Sequence, residues 1–202
     1  MTSVAVVTPK KPRKIPDYLI KEVLDGKPVY YKGYKAVLRK EKTLEDIMGA
    51  SSLQIFIIYY IYRVLSRALD EKLHYVFTGE PGLHIDTNNN FSGDIVIYER
   101  KAVTHVNVHY FKTPPIVNIE VDVNIDNTNF TDFQYISRKT NNLLAFGTQK
   151  VIWVLTKVQK VIVAETDKDW LVIDWYKDIE IFNGITFNIP DYLKQEGIEV
   201  GN

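Results

Sequence analysis

The chain has 202 residues, and its 46% apolar and 25% charged residues are typical of one globular domain with a substantial core. Its 25 basic and 25 acidic residues cancel, which argues against a protein coated in basic charge but allows a local basic patch. Cysteine is absent, so disulfides and cysteine-based zinc sites are excluded. The first residues lack the order of charge, apolar run and cleavage site of a signal peptide, and we expect a cytoplasmic protein.

The N-terminal residues 1–16 are basic and broken by prolines. This composition predicts a flexible basic arm, with binding of nucleic acid or of a partner chain as the alternative. One domain is expected over 17–190, followed by a loose tail over 191–202. Within the domain, Asp25-Gly26 lies between two strand-like runs and predicts a hairpin.

A long helix is predicted from Ser51 or Ser52 to about Leu73. Its apolar run, Ile55 to Tyr62, is too short to span a bilayer, so we expect no membrane role. The helix is apolar nearly all round, which predicts burial against the sheet and against a second subunit. A homodimer is therefore expected.

Two acids lie inside apolar strand-like runs in the middle of the chain, Asp94 before Ile95-Val96-Ile97 and Glu120 within 116–123. Burying a lone carboxylate costs several kcal/mol unless it is paired, hydrogen-bonded or bound to a metal. Adjacent strands would bring both acids to one end of a sheet, where Mg²⁺ or Mn²⁺ would relieve their repulsion. The alternative is that Asn118, Glu120 and Asp122, which share a face by the period of two, lie on the solvent side of an edge strand.

A second helix is predicted from about Thr131 to Phe146, with Gly147 as its C-cap. It carries Lys139, which would place a positive charge near a phosphate or would simply be solvated. Gln134 lies about one turn earlier near the same face. Glu80 is a further candidate for the site, although an exposed strand residue is the simpler interpretation.

The C-terminal part reads as strands. An apolar hairpin is predicted over 151–155 and 160–164, and shorter strands over 170–175, 179–182 and 185–189. Asn183-Gly184 predicts a tight hairpin turn. The fold class is therefore α/β, a mixed central β-sheet flanked by helices with extra N-terminal and C-terminal β-strands.

The acidic residues also carry a family resemblance. Asp94 followed by Glu120-Val121-Asp122 resembles the PD-(D/E)XK nuclease pattern, without a lysine two places after the glutamate. The spacing Lys139-x-x-x-Leu143-x-x-x-Gly147, followed by an apolar strand, resembles the Uma2 family (DUF820), a bacterial group assigned to the restriction endonucleases. The resemblance runs from about residue 46 to 190.

The resemblance implies a restriction-endonuclease-like core and a metal-dependent endonuclease acting on DNA. Asp94 and Glu120 would hold one or two Mg²⁺ or Mn²⁺ ions, with the backbone carbonyl of Val121, and Lys139 would orient the water or stabilise the phosphate. Asp122 departs from the small or apolar residues usual after the glutamate, and would be an extra ligand or would disturb the site. The family's histidine near the start of the long helix is absent, so that its role is lost or passes to Gln54.

Two other functions remain open on the sequence. The chain would keep the nuclease fold without the chemistry, as a catalytically inactive DNA-binding or protein-interaction module, because a fold does not establish an activity. It would also suit a metal-dependent hydrolase of another phosphate ester.

Overall fold

The computed structural model describes residues 14–123, 125–126 and 130–200, so most of the predicted basic arm lies outside the described residues. The strands are β1 (Ile20–Leu24), β2 (Lys27–Tyr31), β3 (His74–Thr78), β4 (Gly82–Asp86), β5 (Asn89–Ser92), β6 (Ile95–Glu99), β7 (Val117–Val121), β8 (Ile125–Asp126), β9 (Lys150–Leu155), β10 (Lys160–Glu165), β11 (Leu171–Asp174), β12 (Ile179–Phe182) and β13 (Ile185–Phe187). The helices are α1 (Tyr34–Leu38), α2 (Glu45–Met48), α3 (Ser52–Ala68), α4 (Asp132–Phe146) and α5 (Ile189–Gln195). Short 3-10 turns lie at Asp17–Leu19, Arg100–Ala102 and Thr156–Val158.

A mixed sheet of six strands forms the centre, in the order β11-β10-β9-β7-β6-β3. Its neighbours are antiparallel except β7 and β9, which are parallel and joined through α4. All five residues of β7 are buried, which is typical of a strand covered on both faces. The predicted α/β class with a mixed central sheet is confirmed.

Each face of the central sheet packs against a separate layer. Residues alternate along β6, so Ile95 and Ile97 contact the side that holds α3, the β12–β13 hairpin and α5. Val96 and Tyr98 point to the other side, which is covered by α4 and by the N-terminal strands. Apolar side chains fill both layers, and a charged group between α4 and the sheet is therefore cut off from water.

The N-terminal strands belong to a second sheet, β4-β5-β1-β2-β8. The predicted hairpin at Asp25-Gly26 is present, with φ values of 51° and 70° at the two turn residues. This second sheet packs against the central one through Leu24 and Val29, which are fully buried. It carries β1 to the side chains of α4.

The long helix α3 begins where predicted, with Ser51 as its N-cap, but it ends at Ala68 rather than near Leu73. Beyond it, Oδ1 of Asp70 accepts a hydrogen bond of 2.8 Å from the backbone N–H of Lys72. Aspartate side chains that bond the backbone two residues ahead stabilise turns and compete with a continuing helix. The second predicted helix, α4, ends at Gly147 (φ 118°) as expected.

The C-terminal residues differ from the expected loose tail. The hairpin turn at Asn183-Gly184 is present, with φ values of 50° and 75°. After it, α5 runs from Ile189 to Gln195, and Tyr192 stacks on Tyr60 of α3 with ring centroids 4.1 Å apart. Part of the predicted strand and tail is therefore a helix packed on the core. In the described part of the chain, none of the helices combines the length and apolar character needed to cross a membrane.

Candidate functional site

The two acids picked out in the sequence lie on neighbouring strands. Antiparallel pairing of β6 and β7 sets Ile95 opposite Ile119, so Asp94 lies opposite Glu120 at one end of these strands. The backbone N–H of Asp94 donates to the carbonyl of Ile119 at 3.1 Å. Its carboxylate oxygen Oδ2 accepts a hydrogen bond of 2.7 Å from the backbone N–H of Val121. The predicted convergence of the two strands is observed.

Lys139 reaches this pair from α4. Its side chain is 1% exposed, and its Nζ lies 2.9 Å from Oε1 of Glu120. The same ammonium lies 2.8 Å from Oε1 of Glu22 and 2.7 Å from the carbonyl of Ser92. The Tyr135 hydroxyl lies 3.4 Å away, so the three N–H donors of the ammonium are surrounded by four oxygens. Lys139 is thus buried and fixed, and the solvated alternative is wrong.

Glu22 is a fourth charged residue of the cluster, and the sequence reasoning missed it. It is buried on β1, where its Oε2 accepts a hydrogen bond of 2.5 Å from the Tyr135 hydroxyl. Its Oε1 accepts bonds from the Ser92 N–H and hydroxyl at 3.0 and 3.2 Å. The sequence did contain a signal, because Glu22 alternates with Leu24, the fully buried residue of the same strand. An acid in step with a core position needs a partner.

Asn118 supports Glu120 from the same face of β7. It is fully buried, and its Nδ2 donates to Oε1 of Glu120 at 2.8 Å. The Asn118 amide comes so close to Gly93 that a Cβ at that glycine would lie 2.2 Å from Oδ1 of Asn118. Gly93 is therefore required by close packing next to Asp94.

Replacing Gly93 with alanine is expected to lower the free energy of unfolding by about 1–3 kcal/mol, because the new Cβ overlaps Asn118 in a packed core. Gly49→Ala is the matched control, since a Cβ there meets no atom within 4 Å and its φ is −72°. That control should change stability by less than about 0.5 kcal/mol. Urea unfolding measures both, and equal stability of the two variants would contradict the packing argument.

The charges of the cluster do not balance. Glu22, Asp94 and Glu120 are three carboxylates and Lys139 is one ammonium, which leaves two excess negative charges when all are ionised, because the nearby Lys21 is paired with Glu80. Burial, and then the charges of Asp94 and Glu22, raise the pKa of Glu120 to about 7 despite the nearby Lys139. Burial likewise raises the pKa of Asp94, although the Val121 N–H opposes it. Protonation of Glu120 or Asp94 would relieve part of this excess of negative charge, and one divalent cation would cancel it when all the carboxylates are ionised.

The donor set suits a hard cation. Protein N–H groups contact Oδ2 of Asp94 and Oε1 of Glu120. Within the described residues, the other oxygen of each carboxylate has no such contact and is open to a ligand. No cluster of three His, Cys, Asp or Glu side chains able to hold an ion occurs in 14–123, 125–126 and 130–200. Mg²⁺ needs no such cage, because it binds through one or two carboxylates and keeps waters and substrate phosphates. The residues fit Mg²⁺ or Mn²⁺.

The carbonyl of Val121 is already engaged. It accepts a hydrogen bond of 2.9 Å from Nε2 of Gln54, which is buried at the start of α3. A carbonyl oxygen has a second lone pair, so this bond leaves room for one more ligand. Gln54 thus lies against the acid strand, at the place where the sequence suggested a substitute for the family's histidine.

Three lower-ranked candidates have other partners. Asp122 has a left-handed backbone (φ 64°), and its Oδ1 accepts the N–H of Thr156 at 2.8 Å, so it holds the end of β9. Gln134 is exposed and completes the capping box of α4 with Thr131, whose N–H it accepts at 3.0 Å. Glu80 forms an ion pair of 3.1 Å with Lys21. The structure brings Asp94, Glu120 and Lys139 together but gives Asp122 and Gln134 structural contacts.

Comparison with known proteins bears on the fold. No family model and no curated protein matches the chain. Among solved structures, it is similar to a 1.96 Å crystal structure described as "a putative nuclease belonging to DUF820" from Anabaena variabilis ATCC 29413. The TM-score is 0.60 at 14% identity, over 86% of this chain and 89% of the other. The chain shares the fold of that protein. At that identity the likeness extends to the fold alone, so the chemistry is argued from the site.

Proposed function

We propose that the protein is a metal-dependent endonuclease that hydrolyses phosphodiester bonds in DNA. The observation that carries the proposal is the buried cluster of Asp94, Glu120, Glu22 and Lys139, whose carboxylates outnumber its ammonium by two. Burying such an excess of negative charge is costly unless a cation or a proton neutralises it, and a divalent cation does so with the carboxylates ionised. The nuclease-like fold of the chain supports the same reaction class.

Each residue of the cluster has a distinct role in this proposal. Asp94 and Glu120 would hold Mg²⁺ or Mn²⁺ through the oxygens that the protein donors leave open, with the Val121 carbonyl as a further oxygen ligand. When bound, the metal lowers the pKa of a water and neutralises charge on the phosphate. Lys139 fixes the orientation of Glu120 and would place positive charge where negative charge grows in the transition state.

One observation favours the alternative of a catalytically inactive module that binds DNA or protein. The Lys139 ammonium hydrogen-bonds Glu22, the Ser92 carbonyl and the Tyr135 hydroxyl, and it forms an ion pair with Glu120. A catalytic role requires Lys139 to exchange one of these acceptors for a water or a phosphate oxygen. A module without chemistry has no such requirement, and it has no need of the metal.

Isothermal titration calorimetry of Mn²⁺ binding to the purified protein tests the proposal. Wild type is expected to bind Mn²⁺. Asp94→Ala is expected to bind it at least tenfold more weakly, because one of the two carboxylate ligands is lost, and a factor of ten corresponds to about 1.4 kcal/mol of binding free energy. Asp122→Asn is the control, since its amide oxygen keeps an acceptor for Thr156 and asparagine tolerates a left-handed backbone. It should bind Mn²⁺ like wild type.

The outcomes separate the two functions. Binding by wild type and by Asp122→Asn, with loss in Asp94→Ala, supports the acid pair as the metal site. Absence of binding by wild type, with millimolar metal and a DNA duplex present, would favour the inactive module. Equal binding by all three proteins would show that the metal lies elsewhere.

Three further expectations remain predictions. A homodimer would use the outer face of α3, where Ile55, Phe56, Tyr59 and Tyr62 are 40–54% exposed. Large apolar side chains grouped on one helix face are typical of contact surfaces. A cytoplasmic location and the binding of DNA also stay predictions.

A further inference from the structure

A cavity of about 330 Å³ opens beside the acid pair, between the start of α3, the turn after β3 and the strand β1. Its lining includes Asp94, Gln54, Lys21, Tyr31 and Glu80. Lys21, Gln54 and Asp94 also border the narrow space that contains Glu120 and Lys139. The cavity is therefore a route by which a substrate would reach the carboxylates.

Lys21 and Glu22 are neighbours on β1, where the pairing with β2 is irregular between Ile20 and Glu22, so Lys21 has no partner residue in the regular ladder. Glu22 points into the buried cluster and binds Lys139, whereas Lys21 lines the cavity. The Lys21 side chain is 16% exposed, and its Nζ lies 3.1 Å from Oε1 of Glu80. The Glu80 side chain is 50% exposed. Although burial lowers the pKa of Lys21, the charges of Glu80 and Glu22 raise it above its usual value, so Lys21 is a cation near Asp94.

We propose that Lys21 is a phosphate-binding residue of the substrate route, and that Glu80 is its counterion in the free protein rather than a metal ligand. This inference rests on the proposed function, because it names the group that receives a nucleic acid phosphate next to the acid pair. A cation is needed there, since a polyanionic strand approaching Asp94 and Glu120 meets negative charge. The Lys139 ammonium does not serve this purpose, because it is buried among its own acceptors.

Glu80 has the position expected of an exchangeable partner. It lies in the turn after β3, next to Gly79, and both residues have positive φ values of 57° and 84°. Its carboxylate is half exposed, while the Lys21 ammonium that it binds faces the cavity. A phosphate oxygen arriving at Lys21 would take the place of this carboxylate, and the carboxylate would turn to water.

Binding of a fluorescent DNA duplex, measured by anisotropy with millimolar Ca²⁺ over about 50–200 mM salt, tests the inference. Lys21→Gln is expected to weaken binding about five- to tenfold and to reduce the slope of log K against log salt by about 0.9, the value for one phosphate contact on B-DNA. Lys21→Arg should keep the slope. Glu80→Gln should tighten binding by about two- to fivefold, because a negative charge leaves the cavity.

Lys168→Gln is the matched control, because that lysine is 67% exposed and pairs with Glu165, outside the residues that line the cavity. It should bind DNA like wild type, and thermal unfolding verifies that every variant is folded. An unchanged slope in Lys21→Gln, with duplex binding by wild type, would overturn the phosphate subsite and leave the nuclease proposal standing. A wild type that binds Mn²⁺ but no duplex would overturn both. Tenfold weaker Mn²⁺ binding by Glu80→Gln would overturn the counterion role and make Glu80 a ligand.

Discussion

Lys139→Met is expected to lower the free energy of unfolding by about 3–5 kcal/mol, the cost of removing one partner of a buried ion pair. Methionine has an unbranched side chain of similar length, so the variant removes the ammonium with little change in packing. Glu22 and Glu120 then stay buried without their shared cation, 2.8 and 2.9 Å from where it was. Urea denaturation gives the change from the midpoint of unfolding, provided that the slope is unchanged.

Two companion variants make the Lys139 result specific. Lys168→Met removes an exposed lysine and should cost less than about 0.5 kcal/mol. Adding Glu22→Gln to Lys139→Met should recover about 1–3 kcal/mol, because one of the two unpaired carboxylates is then neutral. Additive losses in the double variant, or a loss below about 1 kcal/mol in Lys139→Met, would contradict the view that this ammonium holds the cluster together.

Glu120→Gln is expected to reduce metal-dependent cleavage of plasmid DNA by about 10³-fold or more. The estimate follows from the several kcal/mol that a metal contributes to the transition state, at about 1.4 kcal/mol for each factor of ten. Glutamine keeps the shape of the side chain and an acceptor for Asn118 and Lys139, so the fold should be retained. Nicking and linearisation of plasmid in the presence of Mn²⁺ measure the effect.

Cleavage by Asp122→Asn serves as the positive control, because Asp122 contacts Thr156 rather than the acid pair. Wild type and Asp122→Asn should cleave the plasmid at the same rate. Glu120→Gln, purified in the same way, should not cleave it. Equal cutting by wild type and Glu120→Gln would reject Glu120 as a ligand. If none of the proteins cuts DNA although wild type binds Mn²⁺, the reaction has another substrate.

Much of the fold follows from local patterns. The Asp25-Gly26 and Asn183-Gly184 turns, the Ser51 cap of α3 and the Gly147 end of α4 were predicted because each depends on residues within a few positions. The helix α5 was missed although its start carries local signals, since Asn188 caps it by accepting from the Asp191 N–H and Pro190 lies in its first turn. What local signals do not contain is its place on the core, where Tyr192 stacks on Tyr60 of α3.

The residues of the candidate site also differ in how far the sequence predicted their contacts. Asp94 and Glu120 stood out in the sequence because acids inside apolar runs need a reason to be there, and Lys139 stood out through its spacing in the family resemblance. Gln134 shares a helix with Lys139, yet it completes the cap of α4, since the first turn of a helix has N–H groups without partners. Asp122 follows Val121 directly, but a left-handed backbone turns its carboxylate to Thr156.

By itself, the sequence determined the class of the fold and the acids that are costly to bury, and its family resemblance singled out Lys139. Only the tertiary structure decided that Glu22 shares Lys139 with Glu120 and that Lys21 and Glu80 face a cavity beside Asp94. The physical reason is the range of the interactions. Caps, turns and alternation act over a few residues, whereas the partner of a buried charge is chosen by the packing of two sheets and α4, between residues as far apart as 22 and 139.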